Sequence, residues 1–409
     1  MERCDLLLRG GRVVDPANGI DSTLDVAISG DRILAVGERL DLPAARCVDV
    51  SGYLVTPGLV DMHCHCYPAF PYAQDALPTL HPDAHMPQNG VTTCVDAGTC
   101  GHVDFPRFRE SVIDRASTRV LAFLNIADAG MVRMTGEDDP GTFHPEAAAE
   151  VARAYPDCVV GFKTAHYWVH KPFDSGHPAW ASVDAMVLAG EKCALPCMAD
   201  FQPTLPGRSY RELLMEHLRP GDIHTHMYAQ QFPVLDERGG VNPLLRQARD
   251  RGIRFDLGHG ACSFWFRNAV PAVRDGFPPD TISTDLYLDN VAGPVFGLNH
   301  VMSRFLCMGM PVAEVIRRVT IEPARTLHRR DFGTLTPGAC ADVAVLAIER
   351  RDVHFADGGR ARMAGDCVFA CAMSIRAGRI VYDPWAMALP DWETAPEAYW
   401  KAPGILKGV

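Results

Sequence analysis

The 409-residue sequence lacks the features that mark several broad classes of protein. Lys and Arg form no cluster of note and the formal net charge is −11, so we expect neither a nucleic-acid nor an anionic membrane surface. Nowhere do about 20 apolar residues follow one another, as a membrane-spanning helix requires. The first residues also lack the apolar stretch of a signal peptide. We therefore predict a globular cytoplasmic protein whose partner is a small-molecule substrate.

The sequence also has no Cys-x-x-Cys pair, although it contains 14 cysteines. Disulfide frameworks are typical of short secreted chains, whereas free cysteines are commonly buried as small apolar residues. We expect most of these cysteines to pack in the core. Cys64 and Cys66 flank His65, but the alternation of a strand would turn them away from the face that the histidine occupies.

Two histidines stand at the end of an apolar run in residues 55–67, VTPGLVDMHCHCY. Side chains at i and i+2 of an extended strand point to the same face, so His63 and His65 can reach one point in space. Imidazole is a common ligand of divalent metals. The pattern predicts part of a metal site at the carboxyl end of a strand, with its other ligands elsewhere in the chain.

Short apolar runs alternate with helix-like stretches through the middle of the chain. Continuous apolar strands separated by helices are typical of a parallel sheet that is covered on both faces. Eight such strands predict an α/β fold, a (β/α)8 TIM barrel, whose active site lies at the carboxyl ends of the strands. The eight runs are residues 56–63, 90–98, 118–126, 158–165, 195–200, 221–226, 252–259 and 280–285.

Both ends of the sequence differ from the middle, because they contain short β-like segments separated by turns. Residues 1–55 show two strand–turn–strand patterns, with the turns at Gly-Gly 10–11 and Gly-Asp 30–31. Residues 334–383 continue in the same way, and we expect the two ends to pair.

These patterns predict three parts of the chain. Residues 1–55 and 334–383 would form a small β-sandwich domain, and residues 56–333 a metal-dependent (β/α)8 barrel. The tail at residues 384–409 is rich in Pro and Trp, and it would either wrap the surface or serve a subunit contact in a homo-oligomer.

Polar side chains stand at the ends of six of the predicted strands. Catalytic groups of barrel enzymes converge in this way on one mouth. Each residue alone is weak support for a site, because a single histidine is often a structural residue and a single Asp often caps a helix. The candidates are His63, His65, Lys163, Asp200, His224, His226, His259 and Asp285.

At these positions the chain resembles the amidohydrolase superfamily of metal-dependent hydrolases, over nearly its whole length. PGLVDMHCH is similar to the first-strand signature of the superfamily, and the flanking β segments, including LTPGACADVAVL, resemble its split sandwich domain. The stretches RVLAFLNIA, PGDIHTHMY, FDLGHGACSFWF and ISTDLY are similar to those of the deacetylase and dihydroorotase-like members.

The resemblance implies a role for most of the candidates. His63 and His65 would bind a first divalent metal, and a carboxylated Lys163 would bridge it to a second metal that His226 also binds. Asp285 would bind the first metal and act as the catalytic proton shuttle.

One position departs from the family pattern, because Asp200 stands where a histidine usually binds the second metal at the end of strand five. Three interpretations remain open. Asp200 ligates the metal itself, since carboxylate is an adequate zinc ligand; the second metal is weak or absent; or His224 takes its place. We expect one or two divalent ions, zinc in first place, with manganese favoured by the additional carboxylate.

The predicted activity is metal-dependent hydrolysis of an amide or ester bond in an N-acyl amino acid, an N-acyl amine or an acyl ester. A cyclic amidase of hydantoinase or dihydroorotase type is an alternative. A catalytically silent barrel scaffold is another, and the retained ligand candidates argue against it.

Substrate contacts are predicted in the loops after strands four and seven. The resemblance implies such a contact for His259, and His166 and Tyr167 would add polar contacts. An aromatic wall in these loops would suit an aryl group on the substrate. Its candidate members are Trp168, Phe173, Trp180, Phe264, Trp265 and Phe266.

Overall fold

The computed structural model describes residues 3–68, 75–167, 171–203 and 206–401. Within these ranges the strands form two sheets, one mixed and one parallel. The strands are β1 (Cys4–Asp15), β2 (Ile20–Ser29), β3 (Arg32–Gly37), β4 (Ala44–Asp49), β5 (Leu54–Pro57), β6 (Leu59–Cys64), β7 (Val91–Gly101), β8 (Arg119–Asn125), β9 (Val159–Thr164), β10 (Cys197–Ala199), β11 (Ile223–His224), β12 (Arg254–Phe255), β13 (Val343–Ala356), β14 (Arg362–Arg376) and β15 (Arg379–Tyr382).

The mixed sheet combines both ends of the chain, in the order β15-β14-β13-β5-β1-β2-β3 with β4 beside β1. β5 pairs in parallel with β1 and antiparallel with β13, so it joins the amino-terminal strands to the carboxyl-terminal ones. The two ends therefore pair as expected. A β-sandwich is not confirmed, because these strands belong to one sheet, and the domain limits stay a prediction.

The predicted turn at residues 10–11 is wrong. β1 continues through both glycines, and its register against β2 shifts between Leu8 and Gly11. The φ of Gly10 is +73°, a left-handed conformation that glycine adopts readily. An extra residue that shifts the register in this way forms a β-bulge, which bends a strand without ending it.

The parallel sheet contains seven strands, β6 to β12, in sequence order. β6, β7 and β9 are buried along their whole length, as expected for a parallel sheet covered on both faces. None of the described helices is long and apolar enough to cross a membrane. The α-helices in the described ranges are Pro82–His85, Phe105–Phe108, Pro145–Ala154, Ala181–Cys193, Tyr210–Glu212, Pro243–Arg251, Phe266–Arg274, Leu298–Cys307, Val312–Arg317, Ile321–Thr326 and Glu397–Trp400.

The eighth predicted strand, at residues 280–285, is not a regular strand, but its backbone connects the two ends of the parallel sheet. The amide of Leu257, just beyond β12, donates to the carbonyl of Thr281 at 3.0 Å. On the other side, the amide of Asp285 donates to the carbonyl of His63 in β6 at 2.6 Å. The sheet therefore curls round into a barrel whose eighth position is irregular.

Candidate metal centre

Six of the eight strand-end candidates line one cavity of about 160 Å³. The side chains of His63 and His65 are only 1% and 4% exposed, so these two ligands lie at the buried end of the cavity. The parallel strands bring these residues together because their carboxyl ends meet at one end of the barrel. The six residues are His63, His65, Lys163, Asp200, His226 and Asp285.

His63, His65 and Asp285 direct their polar atoms to a common point. Oδ1 of Asp285 lies 2.9 Å from Nε2 of His65 and 3.4 Å from Nε2 of His63. One ligand atom from each of the three residues lies within 4.8 Å of the other two, a spacing that allows one ion to bind all three. Two imidazoles and a carboxylate suit zinc or another divalent metal.

A threonine hydroxyl contacts the Nδ1 atom of each of the two histidines. Nδ1 of His63 lies 3.0 Å from Oγ1 of Thr225, which donates to Oδ2 of Asp256 at 2.8 Å. Nδ1 of His65 lies 2.8 Å from Oγ1 of Thr99. Such contacts fix the orientation of the ring and leave Nε2 facing the metal position. Burial also holds the pKa of His63 well below its ordinary value, which favours the neutral ring that a metal requires.

Lys163 enters the same cavity from the end of β9. Its side chain is buried, with Nζ 3.4 Å from Nε2 of His63 and 3.5 Å from Sδ of Met198. Burial lowers the pKa of this amine, although nearby carboxylates oppose the shift. Gly98 on β7 leaves space for the lysine, because a Cβ there would lie 2.7 Å from Cγ of Lys163.

Asp200 and His226 form a second pair beside the first. Oδ2 of Asp200 lies 3.6 Å from Nε2 of His226, and Nδ1 of His226 lies 2.6 Å from the carbonyl oxygen of Gly258. Burial raises the pKa of Asp200, but His226, Lys163 and His166 outweigh it, so the net pKa is lower than usual. An ionised carboxylate and an imidazole nitrogen therefore face each other at the position where the family pattern has two histidines.

Three residues around the cavity have left-handed backbone conformations. The φ angles of His166, His226 and Asp285 are +48°, +59° and +51°. Such conformations cost non-glycine residues on the order of 1–3 kcal/mol and cluster at active sites. Gly260 lies against the third of them, since a Cβ there would be 2.5 Å from Oδ2 of Asp285.

A buried carboxylate that the strand pattern did not indicate supports His166, which also lines the cavity. Nδ1 of His166 lies 2.8 Å from Oε2 of Glu137, and Oε1 of Glu137 accepts a hydrogen bond from Asn125 at 2.6 Å. Burial lowers the pKa of His166, but the Glu137 carboxylate outweighs it and the net pKa is raised. Glu137 comes from the helical segment Gly130–Asp138 and not from a strand end.

Two predicted substrate contacts, Tyr167 and His259, do not line the cavity. The Tyr167 hydroxyl donates to the carbonyl of Pro178 at 2.9 Å. His259 is fully buried, and its ring stacks on Phe264 at a centroid distance of 4.6 Å. Both side chains pack inside the protein in this structure, and their contact with substrate stays a prediction. Trp168 lies outside the described residues.

The predicted aromatic wall is also absent from the described lining of the cavity, where Tyr287 is the aromatic residue apart from the histidines. Trp180 packs instead on His217, with ring centroids 3.7 Å apart. The ring of Phe173 lies beside the Arg208 guanidinium, with 4.7 Å between Cζ and the ring centroid. The other described members are Phe264, Trp265 and Phe266, which do not line the cavity either.

His224 is a core residue and does not replace a ligand at the second pair. Its ring packs among aromatic side chains, 4.6 Å from Phe232 and 5.3 Å from Tyr210 between centroids. Burial lowers its pKa to about 3, so the ring is neutral. This removes one of the three interpretations of the strand-five position.

Similarity to known proteins agrees with this geometry. No family model matches the chain. The sequence is 32% identical over 352 residues to a deacetylase of Brucella anthropi, and the match covers 82% of each protein. The chain belongs to the amidohydrolase superfamily.

Solved amidohydrolase structures extend the likeness to nearly the whole fold. An adenine deaminase superposes with a TM-score of 0.81 at 27% identity, covering 93% of this chain and all (100%) of that one. A dihydroorotase superposes with a TM-score of 0.78 at 27% identity, covering 92% and 99%. This amidohydrolase is thus a hydrolytic enzyme of a superfamily that acts on carbon–nitrogen bonds and generally depends on divalent metals.

Proposed function

We propose that this amidohydrolase is a divalent-metal-dependent hydrolase of N-acyl amines or N-acyl amino acids. The observation that carries the proposal is the convergence of His63, His65 and Asp285, whose ligand atoms lie within 4.8 Å of one another in one cavity. The similarity to a deacetylase over 82% of the chain supports hydrolysis of an acyl–nitrogen bond.

The residues present fit one or two metal ions. His63, His65 and Asp285 would hold the first ion, and His226 with Asp200 would hold the second. Zinc suits these ligands. Carboxylate oxygen is a harder ligand than imidazole nitrogen, so Asp200 favours manganese at the second position more than a second histidine would.

Lys163 would be carboxylated on Nζ and would bridge the two positions. The ammonium would first lose one proton, and the neutral amine would then bond to the carbon of CO₂ and release a second proton, so a buried cation would become an anion with two ligand oxygens. A buried ammonium is costly, and the carbamate removes that cost when it binds metal. The location of Nζ, 3.4 Å from Nε2 of His63 and beneath the side-chain-free Gly98, supports this role.

When bound, the metal ions would lower the pKa of a water molecule and polarise the scissile carbonyl. Asp285 would accept the proton of the attacking water at its carboxylate and deliver it to the leaving nitrogen. The contact of its Oδ1 with Nε2 of His65 holds the carboxylate beside the histidine ligands. His166, oriented by Glu137, also lines the cavity and would donate a hydrogen bond to the substrate.

The size of the cavity favours a small acyl group. About 160 Å³ next to the ligands accommodates an acetyl-sized group together with water. The described lining adds apolar Leu77, Met131 and Ala261 and the more polar Cys262, Ser263 and Tyr287. An aryl substituent has no support from the described lining beyond Tyr287.

A cyclic amidase is the second candidate function, because a dihydroorotase superposes on 92% of the chain with a TM-score of 0.78. Both activities would use the same ligands, and they differ in whether the cleaved amide is part of a ring. A panel of N-acyl amino acids, N-acyl amines, esters and cyclic amides separates them.

The test combines metal analysis of the purified protein with turnover on that panel. Asp285→Asn should retain metal and lose at least about 100-fold in kcat, because the proton shuttle is removed. Asp289→Asn, an exposed residue of the same segment, is the matched control and should keep full turnover. Lys163→Ala should lose metal as well as turnover.

Three outcomes would contradict the proposal. Near wild-type kcat in Asp285→Asn would show that Asp285 is not the proton shuttle. Wild-type metal content in Lys163→Ala would show that Lys163 does not bridge the metal ions. A protein with neither metal nor turnover on the panel would favour the scaffold interpretation.

A further inference from the structure

Three buried cysteines cluster around the carboxyl end of β6, apart from the histidines of the cavity. Cys64 and Cys66 alternate with His63 and His65 along the chain, so they point to the opposite face. Cys94 on the neighbouring strand β7 completes the cluster. The three Sγ atoms lie within 4.8 Å of one another, and all three residues are buried.

This arrangement differs from ordinary core packing. Cysteine is small and apolar enough to be buried singly, and other cysteines of the chain are buried without forming such a group. Here three sulfurs face one another at a spacing that one ion can bridge. Thiolate ligands select soft cations.

The electrostatic surroundings also favour a cation. Asp96 lies beside the cluster, and its carboxylate is fully buried. Oδ2 of Asp96 accepts hydrogen bonds from the amides of Cys66 at 2.8 Å and Tyr67 at 3.2 Å, and Oδ1 accepts from the amide of Thr99 at 2.8 Å. These bonds hold a carboxylate next to the sulfurs, where it raises the local affinity for positive charge.

The cluster borders a second cavity through Cys66. Cys66 lines a separate, larger cavity of about 450 Å³, together with mostly apolar residues that include Leu80, Val112 and Leu288. The catalytic cavity is not lined by Cys66. Leu77 lies between the two cavities and lines both.

We propose that Cys64, Cys66 and Cys94 form a three-sulfur site for a soft cation such as Cu(I), Cd(II) or Hg(II), distinct from the catalytic metal centre. Binding forms sulfur–metal bonds and releases the thiol protons to solvent, with no change of oxidation state. Zn(II) is a weaker occupant, because structural zinc sites almost always supply four ligands.

The cysteine site does not depend on the proposed hydrolase activity, but it shares a segment of backbone with the proposed catalytic ligands. Two of its ligands, Cys64 and Cys66, alternate along the chain with His63 and His65, so an ion that they hold restrains the same backbone that positions the histidines. The chemistry is separate, because the catalytic ligands are nitrogen and oxygen atoms whereas the new site offers sulfur alone.

Cd(II) is the probe for the test, added at one equivalent to the full-length protein with its catalytic site already loaded with Zn(II). All measurements use protein that carries Cys307→Ser, because Cys307, Asp366 and Cys367 form another group that could bind the ion. We expect a thiolate-to-metal charge-transfer band in the ultraviolet. X-ray absorption at the Cd edge should show a first shell of sulfur, with about three scatterers.

Variants then locate the ion. Cys94→Ser should lose the band, whereas the exposed Cys47→Ser should keep it, as its matched control. His65→Ala, which removes a catalytic ligand, should also keep the band. A nitrogen and oxygen shell in the X-ray spectrum would overturn the proposal without any variant. A band that survives Cys94→Ser, or that disappears in Cys47→Ser, would overturn it as well.

Discussion

Thr225 provides the sharpest test of how the metal centre is positioned. Its hydroxyl links Nδ1 of His63, at 3.0 Å, to Oδ2 of Asp256, at 2.8 Å. Thr225→Val preserves the shape of the side chain and removes both contacts. The only remaining contact between the ring and the carboxylate is then the longer one of 3.4 Å between Nδ1 and Oδ2.

The expected effect is a loss of metal affinity with little change in fold. Asp256 still accepts hydrogen bonds from Thr281 at 2.7 Å and Ser283 at 2.8 Å, so the buried carboxylate keeps partners. Loss of a group that orients a metal-binding histidine typically costs about 10–100-fold in affinity. That range corresponds to about 1.4–2.8 kcal/mol of binding free energy.

The assay is competition with a chelator of known affinity, followed by metal analysis of the protein. Thr225→Ser is the matched control, because it keeps the hydroxyl and should retain affinity within about threefold, which is roughly 0.7 kcal/mol. If the Val variant bound metal as tightly as the Ser variant, the hydroxyl would not position His63 and the reasoning would be refuted. Circular dichroism of the apo variants checks that any loss is not due to unfolding.

Two further predictions concern the other walls of the cavity. Gly98→Ala should destabilise the fold by about 1–3 kcal/mol and lower the metal content. The reason is that φ of Gly98 is +87° and the new Cβ would lie 2.7 Å from Cγ of Lys163. A wild-type free energy of unfolding in denaturant, or a wild-type metal content, would contradict this. Glu137→Gln should lower the pKa of His166, measured by NMR titration, because the carboxylate raises it. The stability lost in that variant should be greatest below about pH 6.5 and should shrink as the pH rises through the raised pKa of His166; a pH-independent difference would argue against the ion pair.

The strand ends could be predicted from the sequence because one rule governs them. Apolar runs that alternate with helices imply parallel strands, and their carboxyl ends share one end of a barrel, so Lys163, His226 and Asp285 were expected beside the histidine pair. The limits of the strands were less accurate toward the end of the sheet. β12 covers only Arg254–Phe255 of the predicted run 252–259.

Other features depend on contacts that no local pattern encodes. Glu137 reaches His166 from a helical segment, so strand periodicity gives no sign of it. Tyr167 follows Lys163 by four residues, yet its hydroxyl is bonded to Pro178 and turns away from the cavity. The Gly-Gly pair at 10–11 is compatible with a turn or a bulge, and the long pairing of β1 with β2 decides for the bulge.

The irregular eighth segment closes the barrel against β6, and the proposed ligands of the first metal lie on both sides of this junction. The amide of Asp285 bonds to the carbonyl of His63, and the amide of His65 bonds to the carbonyl of Leu286, so ligands from both sides alternate across the join. An ion held by His63, His65 and Asp285 would therefore connect β6, the first strand of the barrel, to the irregular eighth segment. Local opening of the barrel and release of the metal would be the same event, and amide exchange along this junction would report metal occupancy.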